Sequence, residues 1–502
     1  MEERAQLSKT LKPHWVWAIA LGSAVGWGAF ILPTDWMGTA GPLGAILGLV
    51  IGGLLMMVIA VSYGFLIKSF PVSGGEFAYA YHGFGRDQAF VCGWFLTLGY
   101  LSIVALNASA LALLGKYVLP IITDWGLMYT IAGWEVYLGE VLVASIALLA
   151  FAWMNVRGTT LSGKVQFAFC VVMLIAVAII LVGVVVHPDT PWSNVQPLMN
   201  PEVPAWTAVL AIVAIAPWAY VGFDNVPQAA EEFDFSPARA FGLIIFALIA
   251  AAAIYSAMIL ATAASTPWQG LVGSEPTWGT GDAVAGLFGV LGIAVLAVAV
   301  CMGVFTGLNG FYVSSSRLLF AMGRAKVLPD AFSKLHPRYN TPVLGIIFTC
   351  AVCLIAPWFG REALLWVVDM SAVGVTIAYF YTCFTAFRMF RWSAAGVREG
   401  DVEDAVSPVK KAFSLLGALS GLTFLGLLLV PGSPAALGAP SLIALGVWVL
   451  LGAVFYIYKR KQYMQIPKST LDYLIFGKKP ETETSQGPGG ADRPESKVEQ
   501  EK

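Results

Sequence analysis

Stretches of mostly apolar residues, separated by short polar segments, run along nearly the whole chain. About 20 such residues in a helix match the hydrocarbon thickness of a bilayer. The pattern predicts twelve spans, at approximately 15–38, 42–67, 88–118, 134–154, 162–186, 206–229, 238–262, 283–319, 342–359, 363–390, 412–431 and 439–458. The eighth is too long for one simple crossing, and is expected to bend or to leave the bilayer at its end. This is the pattern of an all-α polytopic membrane protein. Composition agrees: 58% of 502 residues are hydrophobic and 12% charged, against about 25% charged in ordinary soluble domains.

Charge sets the expected orientation. An even number of spans puts both ends on one side, and with the ends inside only Lys116 and Arg361 fall in outer loops. Arg324, Lys326, Lys334 and Arg338 share one inner loop, and Arg388, Arg391, Arg398, Lys410 and Lys411 surround another. Asp124, Asp189, Glu202, Glu275 and Asp282 lie outside. Lys and Arg concentrate in cytoplasmic loops of membrane proteins, so both termini are expected in the cytoplasm of a multi-pass cell-membrane protein. Residues 1–14 read as a cytoplasmic tail, and the first span as a retained anchor, because no small-residue cleavage site follows it. Residues 463–502 read as a second cytoplasmic tail. From about 479 it is poor in apolar residues and rich in Pro, Gly, Glu and Ser, hence expected to be disordered.

The net charge of −1 and the lack of a basic stripe point away from nucleic acid. The six cysteines all sit in apolar segments without metal-ligand spacing, and the four histidines are scattered, so neither a metal nor a cofactor is expected. No nucleophile–base pair, paired carboxylates or Walker-type motif lies in the spans, which argues against an enzyme or a direct ATP-driven pump.

Two spans break helix rules. In 24–33, "AVGWGAFILP", Gly26 and Gly28 precede Pro33; in 216–227, "APWAYVGFDNVP", Pro217, Gly222 and Pro227 interrupt span six. Proline removes a backbone donor and clashes with the preceding turn. An unpaired backbone group in a membrane costs several kcal/mol unless it is buried or lines a wet cavity. Spans one and six hold matching positions in two sets of five, the arrangement that points to a transporter's binding site. Free N–H groups of half-helices suit a carboxylate, and free carbonyls an ammonium. Asp224, beside the second break, is an intramembrane acid of the kind that marks a substrate, ion or proton pathway; its plainer reading is an acid capping a helix end. Glu231 and Glu232 read as cytoplasmic-end residues that could close a gate with Arg86 or Arg324. Asn107 in span three is a pocket candidate or an interhelical hydrogen-bonding group. Trp94, Tyr100, Tyr312 and Trp366 read as packing or interfacial aromatics.

Four stretches together carry a resemblance: "GSAVGWGAFILP" (22–33), "FPVSGGEFAYAY" (70–81), "WAYVGFDNVPQAAEE" (218–232) and "SSSRLLFAMGRAKVLPDAFSKLHPRYNTP" (314–342). In this order they resemble the amino acid–polyamine–organocation (APC) superfamily of permeases, bacterial amino acid permease type, over residues from about 15 to 460. The resemblance implies a five-plus-five inverted repeat, the leucine-transporter-like fold, with two trailing helices: residues 15–200 as the first repeat, 201–392 as the second, and 393–462 as spans eleven and twelve. It implies that backbone amides around Trp27 and Gly28, next to Gly26, hold a substrate carboxylate. Carbonyls of Val25, Trp218 and Val221 would take the amino group, with Tyr220 as an aromatic wall or gate, Gly222 as the point of unwinding, and Asp224 in coupling or substrate recognition. Trp27 stands where many members have a small or hydroxyl residue, so its indole either fills part of the cavity or points away. Met173 falls where relatives often carry a lysine in span five, Lys164 lying nearer the cytoplasmic end, which leaves the coupling ion open.

The expected function is secondary transport of amino acids or closely related amines by alternating access, with protons or a counter-substrate as coupling species. A cationic amine or polyamine carrier is the alternative, and a non-transporting nutrient sensor a further one. Expected partners are a small-molecule substrate and the lipid bilayer.

Overall fold

The computed structural model describes residues 4–131, 134–188, 190–274, 276–394, 407–433 and 435–477, with the side chains of 361–365, 367–368 and 391–394 outside that description. Asp189, Glu275, Arg398, the side chains of Arg361 and Arg391, and the tail expected to be disordered from about 479 lie outside the described residues.

Nine helices among the described residues are long and apolar enough to cross a membrane: Pro33–Ser69, Arg86–Val118, Leu138–Val156, Thr159–Val186, Pro237–Ser265, Gly279–Arg324, Asp369–Phe390, Pro408–Leu429 and Ala439–Gln465. The other three expected spans, one, six and nine, occur as shorter pieces. The protein is an all-α polytopic membrane protein. Its apolar side chains sort by environment: Ile443, Val447, Leu450, Val454 and Ile457 recur at helical spacing and are exposed, as a lipid-facing stripe requires.

The long eighth span bends, and does so near its N-terminal start. Gly289 interrupts Gly279–Arg324 with φ 61°, a value glycine adopts without a Cβ clash. Span four begins later than its apolar pattern suggests. Trp134–Tyr137 pairs antiparallel with Leu127–Ile131 as a small hairpin, and the helix starts at Leu138. The two terminal segments are also more structured than a polar reading implies. Leu7 and Leu11 are buried, Leu11 pairs with Phe233, and the helix Lys468–Phe476 buries Leu471, Leu474 and Ile475.

Candidate functional site

The first break separates the helix Pro13–Val25 from the turn Gly28–Ile31. Gly26 takes φ 50° and ψ −150° between them, so helix hydrogen bonding stops after Gly26 N, skips the amides of Trp27, Gly28 and Ala29, and resumes with Trp27 O accepting from Phe30 N and Ile31 N. The amides of the resumed first turn have no intrahelical partner by position. Span eight closes tightly on this point: a Cβ on Gly303 would lie 2.1 Å from Gly26 O.

The second break runs from the end of Ala205–Ala214 through Ala216–Ala219 to Asn225–Gln228. Gly222 has φ 131°, and a Cβ there would lie 2.6 Å from the Ser23 carbonyl carbon and the Ala24 nitrogen. The two broken segments therefore touch backbone to backbone, which only a glycine permits. Tyr255 of span seven joins them. Its hydroxyl lies 2.7 Å from Ala24 O, 3.2 Å from Val25 O and 2.7 Å from Ala219 O, so carbonyls freed by both breaks share one donor.

Around this contact the residues named from the sequence fall as follows. Val25, Gly26, Trp27 and Gly28 line the first break, and the Trp27 indole meets that of Trp218 edge-on, centroids 5.9 Å apart. The Trp218 ring also covers Gly28, where a Cβ would come within 3.1 Å of it. Tyr220 is fully buried and turns toward span two, donating to Leu49 O at 2.8 Å. Val221 and Gly222 lie between these groups and Asp224. Asp224 is fully buried: one carboxylate oxygen accepts from Gly222 N at 2.6 Å and the other from the Tyr100 hydroxyl at 3.1 Å. The acid thus ties the unwound backbone to span three. Tyr100, read from sequence as packing, lies at a tilt against Phe311 and also holds that acid. Asn107 donates to Ile103 O within its own helix, while its Oδ1 is unpartnered and faces Gly307 of span eight.

Several polar groups escaped sequence reasoning. Ser23 Oγ and both polar atoms of Asn225 are buried without partners, and both residues adjoin Gly310. Gln166 of span five donates to Ala18 O of span one and Thr306 O of span eight, and it accepts from Asn309 at 2.8 Å. A neutral amide thus links spans one, five and eight. Met173 is buried and Lys164 exposed in the same helix.

One face of the molecule is sealed below the second break. Glu231 accepts from both terminal nitrogens of Arg324 at 2.9 Å, from Arg4 at 3.3 Å, and from the backbone of Leu7 and Ser73. Glu232 pairs with Arg317 at 2.7 Å, both nearly fully buried, and accepts from Thr159. Arg324 is thus a partner of the paired acids; Arg86 instead donates to the carbonyls of Tyr463, Met464 and Ile466. Burial pushes the Glu231 carboxyl up, but Arg324 and Arg4 reverse this and hold it at about 2. On the opposite face a cavity of about 660 Å³ is lined by Ile31, Thr34, Asp35, Gly38, Pro276 and Gly279. Nearby, Trp278 donates to Phe30 O at 2.9 Å and packs edge-on against Tyr117. Among the described residues no group of three or more His, Cys, Asp or Glu is placed to hold a metal.

The profile of the amino acid permease family matches residues 15–455. An uncharacterized transporter of Rhizobium meliloti is 28% identical to this chain, covering 80% of it and 83% of the relative. A methylthioribose transporter of Bacillus subtilis is 27% identical over 73% of this chain and 78% of its own. A branched-chain amino acid permease of Lactococcus lactis is 24% identical over 89% and 93%. The chain belongs to the amino acid permease family of the APC superfamily, and is a transporter.

Proposed function

We propose that the chain is a secondary transporter of amino acids across the cell membrane, working by alternating access around the joined breaks of spans one and six and coupled to protons or to a counter-substrate. The observation that carries this reading is the backbone contact of Gly222 with Ser23 and Ala24, with the buried Asp224 holding the second break. Amides near Trp27 and Gly28 take the carboxylate, and carbonyls of Val25, Trp218 and Val221 the amino group. Residues 15–200 and 201–392 form the inverted repeats, 393–462 the trailing helices, and both termini are cytoplasmic. Relatives named for branched-chain amino acids and for methylthioribose support a small, largely uncharged substrate.

The test is uptake in proteoliposomes holding the purified chain. Saturable amino acid uptake that responds to a pH gradient or to internal substrate is expected. Asp224→Asn should lower gradient-driven accumulation about tenfold, a coupling of ordinary size. Full coupling in that variant would refute the role given to Asp224. Retained binding of a decarboxylated analogue would favour the amine-carrier alternative.

A further inference from the structure

The inner loop 70–81 gives the site above only the Ser73 amide that Glu231 holds, yet it also delivers a carboxyl into the protein interior. Gly74 and Gly75 take φ of 86° and 20°. A Cβ on Gly74 would lie 2.2 Å from Ala321 Cβ of span eight, and one on Gly75 2.8 Å from Pro227 at the second break. The two glycines let the loop press under the break, and the first turn of the following helix, Gly75–Phe84, carries Glu76 inward to full burial.

One Glu76 carboxyl oxygen accepts from Gln228 Nε2 at 2.5 Å; the other, Oε1, has no hydrogen-bond partner. Glu76 has no salt-bridge partner among the described residues. The groups facing it are Tyr63 from span two, Cys92 and Tyr100 from span three, Asp224 and Gln228 from span six, Tyr379 from span ten and Tyr79 from its own helix. The hydroxyls of Tyr79 and Tyr379 are buried and unpartnered, the Tyr63 hydroxyl faces the carboxyl, and the one charged group in this set, Asp224, has the same sign. Burial, reinforced by Asp224 and only partly offset by hydrogen bonding from its own backbone, Tyr63 and Gln228, pushes the Glu76 carboxyl well above the usual carboxylate range. An unpaired buried carboxylate is so costly that the group takes up a proton instead.

We propose that Glu76 is a second proton-binding carboxyl of the transport cycle, holding its proton while the Glu231 face is closed and releasing it to the cytoplasm when span six moves. This rests on the proton-coupled form of the function proposed above. Gln228 lies on the second break, four residues after Asp224 and three before Glu231, and Glu231 in turn grips Ser73 N in the Glu76 loop. Displacing the break thus withdraws Gln228 and admits water in one motion. The Glu76 O–H bond then breaks, the proton passes to that water as hydronium, and the carboxylate is left hydrated; no electrons are transferred.

Two measurements on the full chain decide this. Infrared spectra of the protein in lipid need no substrate: a protonated-carboxyl band is expected at neutral pH in wild type and missing in Glu76→Gln. A band unchanged in the variant overturns the proposal. In proteoliposomes, radiolabelled leucine, alanine and lysine serve as probes. Glu76→Gln should keep substrate exchange but lose accumulation driven by a pH gradient about tenfold. Accumulation at the wild-type level overturns the proposal. If wild type exchanges the probes but never responds to a pH gradient, the role of Glu76 falls while transport stands. If wild type moves none of them, the function proposed above fails, and the infrared band alone decides whether Glu76 holds the proton. Should Glu76→Gln not fold, Glu76→Asp keeps a carboxyl on a shorter arm; a shifted pH midpoint of accumulation is expected, and an unshifted one overturns the proposal.

Discussion

Tyr255 shows how much one hydroxyl does when backbone must stay unpaired in a membrane. It lies 2.7 Å from the carbonyls of Ala24 and Ala219, one on each break, while its ring packs against Trp36 and Tyr220. Tyr255→Phe keeps the ring and removes the donor, leaving buried carbonyls at a cost of about 1–3 kcal/mol. A thermal midpoint in detergent lower by a few degrees is the expected outcome, together with slower uptake because the two breaks are no longer tied. An unchanged midpoint would show that water replaces the hydroxyl. No sequence signal marks Tyr255: it sits in the apolar run Ala240–Ser265, and its partners are main-chain atoms 36 to 231 residues away. Gly222 was legible, because a glycine between prolines in a span announces a break. That its missing Cβ accommodates Ser23 and Ala24 was not.

Among elements, local chemistry explains which were readable. The breaks in spans one and six follow from Gly and Pro rules that act within a few residues. The hairpin at Leu127–Ile131 and Trp134–Tyr137 was hidden because Trp134 and its neighbours extend the apolar run that becomes the helix Leu138–Val156. The seal below the second break joins the N-terminal segment, the loop after span two, span six and span eight, so a partner had to be chosen across long sequence separations. Arg324 was foreseeable by charge, but Arg317 lay inside a predicted apolar span. The two ion pairs differ in what their loss should cost. Arg317 and Glu232 are each 1% to 2% exposed, so Arg317→Ala strands a buried carboxylate and should cost about 3–5 kcal/mol. Arg4→Ala leaves Glu231 its two bonds to Arg324 and should cost far less. Thermal unfolding of both variants checks the order. The Glu231 carboxyl is depressed from 4.5 to about 2, so its contribution is complete above about 4.5 and fades only as pH falls toward 2. The seal should therefore hold across the neutral range, and any pH dependence of transport there must come from another group.

For the whole molecule the two faces differ, and the difference has a measurable consequence. One face is closed by Glu231, Glu232 and their arginines, while the other opens into the cavity lined by Thr34, Asp35 and Pro276. If the closed face is cytoplasmic, as the basic loops argue, the resting transporter admits substrate from outside. Cysteines report this directly, since five of the six native thiols are buried and the sixth partly so. Thr39→Cys places a thiol in the open cavity, where the native side chain is exposed, and Ser73→Cys places one beneath the seal, where the native hydroxyl is buried and unpartnered. A membrane-impermeant thiol reagent should label the first quickly from outside and the second only slowly from inside. If the sealed state holds about 99% of molecules, labelling of Ser73→Cys is slowed about a hundredfold relative to the open state. Substrate present on both sides drives the cycle through its inward-open state, so it should speed labelling of Ser73→Cys and slow that of Thr39→Cys together. Rapid labelling of Ser73→Cys without substrate would mean that the acid–arginine layer is not the gate, and that access to the joined breaks is controlled elsewhere.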